Sequence, residues 1–179
     1  MMRRLIGIAG KKNTGKTTVG DHLWHRHGYF SMAFADHVKR VAAVLFDWDM
    51  LMLESREYKE AFDPNIGMTR REALQRLGTE AIQGEFGEMF WVNSWLKAYG
   101  YVKNEPVVVT DVRFEHEASA IRALGGVIVH LKRAVDNTDA HGSEAGIAHQ
   151  AEDYVIANTG TLEELFDQVG GLVALMEAR

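Results

Sequence analysis

Eight residues near the start of the chain, Gly10-Lys11-Lys12-Asn13-Thr14-Gly15-Lys16-Thr17, have the G-x-x-x-x-G-K-T spacing of a phosphate-cradling loop. Glycines let backbone N–H groups close around phosphate oxygens, and the N-terminus of a following helix adds partial positive charge. Lys16 is long enough to reach the β- and γ-phosphates, and the Thr17 hydroxyl can ligate Mg²⁺. Gly10, Lys12, Asn13, Thr14, Gly15, Lys16, Thr17 and Thr18 are therefore the candidate triphosphate site. The spacing gains its meaning from its flanks. Leu5-Ile6-Gly7-Ile8-Ala9 reads as a buried parallel strand, and the run from Thr18 to Trp24 can start a helix. A Gly-rich turn with a chance Lys-Thr is the alternative, and those flanks disfavour it. The pattern implies a nucleoside triphosphate binder.

Two further groups could carry chemistry. Asp111 and Arg113 follow the apolar run Pro106-Val107-Val108-Val109-Thr110. An acidic residue at a strand end can hold Mg²⁺, often through water, and Arg113 could bind a phosphate bidentately. The competing reading is Asp111 as an N-cap with Arg113 on the helix surface. Asp36 and Lys39 follow the run Tyr29-Phe30-Ser31-Met32-Ala33. Asp36 is either a plain N-cap or a group that orients, or takes a proton from, an attacking oxygen. Lys39 could grip that oxygen's phosphate, because phosphoryl transfer is catalysed mostly by positioning and charge neutralisation. His22, His25 and His27 crowd the first helix, but their spacing and the lack of nearby carboxylates argue against a metal site.

The elements that must position these groups alternate between strand and helix. Beyond the 5–9 and 29–33 strands, helical spacing joins Phe34, Val38, Val41, Ala42, Leu45 and Phe46. Residues 47–68 are turn-rich, with a loop at Asp63-Pro64-Asn65. Thr69, with Glu72 three residues on, is an N-cap for a helix carrying Leu74, Leu77 and Ala81. Trp91, Trp95, Leu96 and Tyr99 suggest another helix. Strands at 106–110, 127–131 and 154–157 alternate with a helix through Ala118, Ile121 and Leu124, and a last helix runs from Leu162 to Met176. This order predicts an α/β fold with a central parallel sheet and helices on both faces, in which ligands gather at the carboxyl ends of the strands. At 179 residues one domain is the default, and no linker or repeat divides it. With no cysteine, disulfides and thiolate metal sites are excluded. No apolar run approaches a membrane span. The basic Met1-Met2-Arg3-Arg4 start is too soon followed by the phosphate loop to be a signal peptide. A net charge of −5 argues against nonspecific nucleic-acid binding. A cytoplasmic small-molecule enzyme fits, with no nucleic-acid and no membrane partner; the apolar 85–102 helix either packs inward or forms the face of a homodimer.

Several segments resemble the bacteriophage deoxynucleoside monophosphate kinases. They are Arg70-Arg71-Glu72-Ala73-Leu74-Gln75-Arg76-Leu77-Gly78-Thr79-Glu80 with Phe90-Trp91, Thr110-Asp111-Val112-Arg113-Phe114-Glu115 with Glu117-Ala118, Gly125-Gly126, Arg133, His141-Gly142-Ser143-Glu144 and Ile156-Ala157-Asn158-Thr159-Gly160-Thr161. The resemblance spans nearly the whole chain, and the Leu-Gly-Thr-Glu and Asp-Val-Arg-Phe-Glu segments are its most specific parts. It implies a three-layer P-loop kinase fold, with a core of about 1–46 and 104–179, a substrate-binding helical region of about 47–103 and a lid of about 132–149. It also implies Mg²⁺-assisted transfer of the ATP γ-phosphoryl group to a deoxynucleoside 5′-monophosphate. Lys16, Thr17 and Asp111 would serve the triphosphate and Mg²⁺. Lys39, Arg70 or Arg71, and Arg113 would hold the acceptor phosphate, with Asp36 orienting it. Gln75, Thr79 and Glu80 would meet the base and Trp91 would offer a stacking face, unless Gln75 and Thr79 are buried hydrogen-bonding residues and Trp91 is core. Asn158 and Gly160 would lie at the adenine, and Arg133 would be the lid's transition-state cation. The lid is poor in arginine for such a kinase. Dephospho-coenzyme A kinase is the nearest alternative, since it shares the fold and a similar Asn-x-Gly/Ser pattern; a nucleotide-binding ATPase or switch is the next.

Overall fold

A computed structural model describes residues 4–133 and 147–178. Along the chain, β1 (Leu5–Ala9) leads into α1 (Lys16–His27), β2 (Phe30–Ser31) and α2 (Ala35–Phe46). A 3₁₀ turn (Met52–Glu54) and α3 (Arg56–Glu60) precede β3 (Phe62–Asp63) and β4 (Met68–Thr69). Then α4 (Arg70–Gln75) runs on through a π-helical stretch (Arg76–Gln83) into a last turn, α5 (Gly84–Phe86). They are followed by α6 (Phe90–Val102), β5 (Val107–Val112), α7 (Glu115–Ala123), β6 (Val127–Lys132), β7 (Tyr154–Ala157) and α8 (Leu162–Glu177). Among the described residues, no helix is long and apolar enough to cross a membrane. The chain forms two units, Met1–Ala33 with Tyr99–Arg179, and Phe34–Ala98.

The first unit is built on a five-stranded sheet in the order β2-β5-β1-β6-β7, with every pairing parallel. Strand alternation sorts its side chains onto two faces. Ile6, Ile8, Val108, Val127, Val129 and Leu131 share a core with Val19 and Leu23 of α1 and with Leu165, Val169 and Leu172 of α8. On the opposite face Gly7 meets Ile121 of α7 and Ile128. Both faces are thus covered by helices, as the continuous apolar strands demand. The strand expected over 29–33 is shorter, Phe30–Ser31, because it is an edge strand; Met32 N–H still donates to the Val108 carbonyl at 2.9 Å. The successor of β1 lies where the strand order reverses, the position at which sheets of this kind bind ligands.

The second unit takes in α2. Its core gathers Ala42, Trp48, Leu53 and Ala73, with Phe46, Tyr58, Met68 and Leu77 packed against them. The expected loop at 63–65 is the turn of an antiparallel hairpin, with Phe62 opposite Thr69 and Asp63 opposite Met68. Thr69 and Glu72 form the anticipated capping box. The helix that follows departs from α geometry. Gly84 N–H donates to the Thr79 carbonyl five residues back, while the Trp91 indole Nε1–H donates to the Gly78 carbonyl at 2.9 Å. A side chain that captures a helix carbonyl loosens the ladder in this way. The next helix starts at Phe90 rather than 85, because Gly87 (φ 90°) breaks the chain before it.

Candidate active site

The first unit holds a preformed phosphate loop between β1 and α1. Asn13 (φ 64°) and Gly15 (φ 101°) take left-handed conformations that turn the chain back toward the helix. Buried Thr14 ties the loop across itself, its Oγ1 donating to the Lys11 carbonyl at 2.8 Å. Lys16 Nζ donates to the carbonyls of Gly10 at 2.5 Å and Lys11 at 2.8 Å. The ammonium is therefore folded over the loop's own concavity. Gly15 provides no side-chain cap, so the first turn of α1 is not closed by its own N-cap. Lys12 and Thr17 are exposed, and Thr18 is half-buried.

Asn158, expected at an adenine, braces this loop. Its Nδ2 donates to the Thr14 carbonyl at 2.8 Å, and its N–H to the Lys132 carbonyl at 2.7 Å. A Cβ at Gly15 would come within 2.7 Å of that Nδ2, so a side chain there would meet both a strained φ and the brace. Gly160 precedes Thr161, which caps α8 in a box with Glu164, and the Glu164 carboxylate lies against it.

Asp111 lies within β5 and is not a helix cap; α7 begins only after Phe114. Between the pairs Gly7–Val109 and Ala9–Val112, two residues of β5 (Thr110 and Asp111) oppose one of β1 (Ile8). Such a bulge re-aims side chains at a strand end. Arg113 is exposed, and its N–H donates to Glu117 Oε2 at 2.7 Å, as does that of Phe114 at 3.1 Å. Burial pushes the Glu117 carboxyl up to about 7; the Arg113 N–H opposes this rise and the Asp111 charge adds to it. Glu117 thus holds the backbone of Arg113 and Phe114. The only signal for it in the sequence is Glu at N3 of α7, half a capping box without a Ser or Thr N-cap. Thr17 and Asp111 offer a hydroxyl and a carboxylate, hard oxygen donors that suit Mg²⁺. Among the described residues, no group of three or more His, Asp or Glu is placed to hold a metal ion.

The second unit carries the remaining candidates. Asp36 is the second residue of α2 and does not cap it; the N-cap is Phe34. Lys39 Nζ meets Asp36 Oδ1 at 3.2 Å and Glu54 Oε1 at 2.7 Å. Burial alone would lower the Lys39 pKa, but the hydrogen bonds and charges of Glu54 and Asp36 outweigh it and raise it. Arg70 is engaged structurally. Its guanidinium lies 4.1 Å from the Tyr58 ring centre, 5.6 Å from that of Trp48 and 3.4 Å from Asp63 Oδ2, which also accepts the Trp48 indole N–H at 2.8 Å. Arg71 pairs with Glu60 at 2.7 Å on the surface. Gln75, Thr79 and Glu80 are exposed, so the buried alternative for the first two does not describe them. Trp91 is 6% exposed with its N–H already used, so its faces serve packing rather than stacking on a base.

Arg133 is exposed directly after β6. Most of the expected lid, including His141, Ser143 and Glu144, lies outside the described residues. Where the chain is described again, buried Asp153 accepts hydrogen bonds from Arg122 Nη2 (2.7 Å) and Nε (3.1 Å), the Gln150 N–H (2.9 Å) and His130 Nε2 (2.9 Å).

The family model described as deoxynucleotide monophosphate kinase matches residues 50–169. A protein of Acanthamoeba polyphaga mimivirus that carries a provisional name as such a kinase is 32% identical over 92% of this chain and 93% of its own. Deoxynucleotide monophosphate kinases of Escherichia phage RB69 and Enterobacteria phage T4 are each 37% identical over 55% of the chain, which spans 42% and 43% of their own lengths. Among solved structures, a dephospho-CoA kinase from Campylobacter jejuni has a TM-score of 0.55 at 13% identity, covering 97% of this chain and 96% of its own. A sugar kinase from Janibacter sp. has a TM-score of 0.51 at 14% identity, covering 97% and 95%. At such identities the structural likeness speaks for the fold alone, the three-layer α/β fold of P-loop kinases.

Proposed function

Because the chain belongs to the deoxynucleotide monophosphate kinase family, we propose that it transfers the γ-phosphoryl group of ATP to a deoxynucleoside 5′-monophosphate. An oxygen of the acceptor phosphate attacks the γ-phosphorus in line, the bond to the β–γ bridging oxygen breaks, and ADP and a deoxynucleoside diphosphate leave. The observation that carries this reading is the preformed loop with Lys16 folded over it, together with the family match.

Each group in the chain has a defined task. Lys16 exchanges its two loop carbonyls for β- and γ-phosphate oxygens and neutralises the charge that builds there. The N-terminal turn of α1 orients the triphosphate. Thr17 and Asp111 would hold Mg²⁺, which supplies further neutralisation of the phosphate oxygens when bound. Arg113, exposed after β5, donates to the transferred or acceptor phosphate, and Arg133 is the lid-side cation. Lys39 holds the acceptor phosphate. Arg70 is assigned instead to the hairpin it clamps through Asp63, and Arg71 to its surface pair. Exposed Gln75, Thr79 and Glu80 are the residues we assign to the base, with Asn158 bracing the loop rather than reading adenine.

Two substitutions test these roles. Asp111→Asn should raise the Mg²⁺ concentration for half-maximal rate by roughly tenfold, the scale of a lost metal-supporting carboxylate; an unchanged Mg²⁺ titration removes Asp111 from the site. Asp36→Asn separates acceptor classes. A monophosphate is already a nucleophile at neutral pH, so we expect kcat to fall less than about tenfold. A hydroxyl acceptor, as in dephospho-coenzyme A, needs a base, and its loss would cost about 10²–10⁴-fold. Turnover by the wild type with dephospho-coenzyme A, and none with deoxynucleotides, would favour that second reading.

A further inference from the structure

We propose that Glu54 is a placeholder anion: it occupies Lys39 until an acceptor phosphate displaces it, and so sets both the affinity for the acceptor and the demand that the acceptor be charged. This rests on the assignment of Lys39 to the acceptor phosphate.

The Lys39 side chain is only 12% exposed and is flanked by two carboxylates, so the cluster of Asp36, Lys39 and Glu54 carries a formal charge of −1. A phosphate monoester near neutral pH brings between one and two negative charges of its own. It cannot settle on Lys39 while both carboxylates stay, because like charges a few ångströms apart repel strongly in a partly desolvated site. One of the two must give way, and their settings differ. Asp36 lies one helical turn before Lys39 on α2, with its side chain 28% exposed, so the helix holds the pair together. Glu54 comes from the separate 3₁₀ turn, and its side chain is 63% exposed. A single rotamer change breaks its 2.7 Å contact with Lys39 and returns its carboxylate to water.

The same arrangement discriminates between acceptors. A phosphate competes with Glu54 for the ammonium on equal electrostatic terms, whereas a neutral nucleoside or sugar hydroxyl does not and leaves Lys39 occupied. Specificity then comes partly from a repulsive element that only the right ligand removes. No local pattern announces Glu54, which is fifteen residues from Lys39 and meets it only through the fold.

The test compares the intact wild type with Glu54→Gln, which keeps the shape and removes the charge, and with Glu54→Ala. Initial rates are measured against acceptor and against ATP, and deoxynucleoside monophosphate and inorganic phosphate binding are titrated without ATP. Glu54→Gln should lower the acceptor KM and Kd about fivefold, equivalent to about 1 kcal/mol, with the ATP KM in its wild-type range and phosphate binding tightened in parallel. In a Lys39→Met background the same substitution should change acceptor binding less than twofold, as a coupled pair requires. An acceptor KM that is unchanged or raised in Glu54→Gln overturns the proposal and makes Glu54 a support that orients Lys39, or a bystander. Should the wild type fail to phosphorylate any deoxynucleotide, the functional reading fails by that result alone. The phosphate titration then still decides Glu54, since equal binding by wild type and Glu54→Gln overturns its role.

Discussion

Replacing Lys16 with alanine is expected to lower turnover about 10³-fold while the fold stays intact. The rate effect follows from where charge develops. In-line transfer spreads negative charge over the β–γ bridging oxygen and the equatorial γ-oxygens, and a prepositioned cation there is worth about 3–4 kcal/mol. The ammonium is already drawn over the loop by the Gly10 and Lys11 carbonyls, so little reorganisation is needed when phosphate replaces them. The stability effect is small for the same reason. What is lost is a pair of hydrogen bonds at a water-accessible loop, about 1 kcal/mol, and Thr14 and Asn158 still hold the backbone. Lys16→Arg should fare little better, because a planar fork does not fit a concavity that accepts a point charge. A melting curve coinciding with the wild type, beside rates reduced by this factor, is the expected pair of results. A rate within tenfold of wild type would remove the loop from the chemistry.

The second large effect is on stability. Asp153→Asn should destabilise the protein by about 3 kcal/mol, because it leaves Arg122 and its neighbours around a buried neutral group. The Asp153 side chain is 1% exposed, and it joins α7, through Arg122, to β6, through His130. Glu115 also holds Arg122 at 2.7 Å, but it is exposed and cannot replace the buried partner. For a chain of this size the loss amounts to a fall in Tm of roughly 6–12 °C. The pH dependence has a definite sign. Burial would raise the Asp153 pKa, but the hydrogen bonds from Arg122, Gln150 and His130 outweigh it and bring it from 3.8 down to about 2. A depressed carboxyl stabilises the fold above the unfolded-state pKa, so this contribution is complete above about pH 4 and disappears as the pH falls toward 2. It amounts to about 2 kcal/mol. Chemical denaturation across that window should show a step in the wild type that Asp153→Asn lacks; superimposable curves would contradict the assignment.

These particular residues also show what a sequence carries by itself. The phosphate loop, the apolar strands and the capping box at Thr69–Glu72 were legible because each depends on neighbours within a few residues. The β3–β4 hairpin was not, since strands of two residues are too short to show alternation. The π-helical stretch depends on Trp91 reaching back thirteen residues to Gly78. The bulge at Thr110–Asp111 depends on register with β1. Arg70 and Asn158 illustrate the limit at the site. Each residue type suits a phosphate or a base, yet tertiary partners (Asp63 for Arg70, the Thr14 carbonyl for Asn158) give both a structural task. Glu54 and Glu117 are the converse, since their importance arises only from what the fold brings against them.

The most direct test of the central claim is to follow the labelled phosphoryl group from [γ-³²P]ATP in the presence of Mg²⁺ and each common deoxynucleoside monophosphate, separating the products by chromatography. Label is expected in a deoxynucleoside diphosphate, matched one for one by ADP and absent with Lys16→Ala. Label appearing only as inorganic phosphate, or only on dephospho-coenzyme A supplied in parallel, would contradict it.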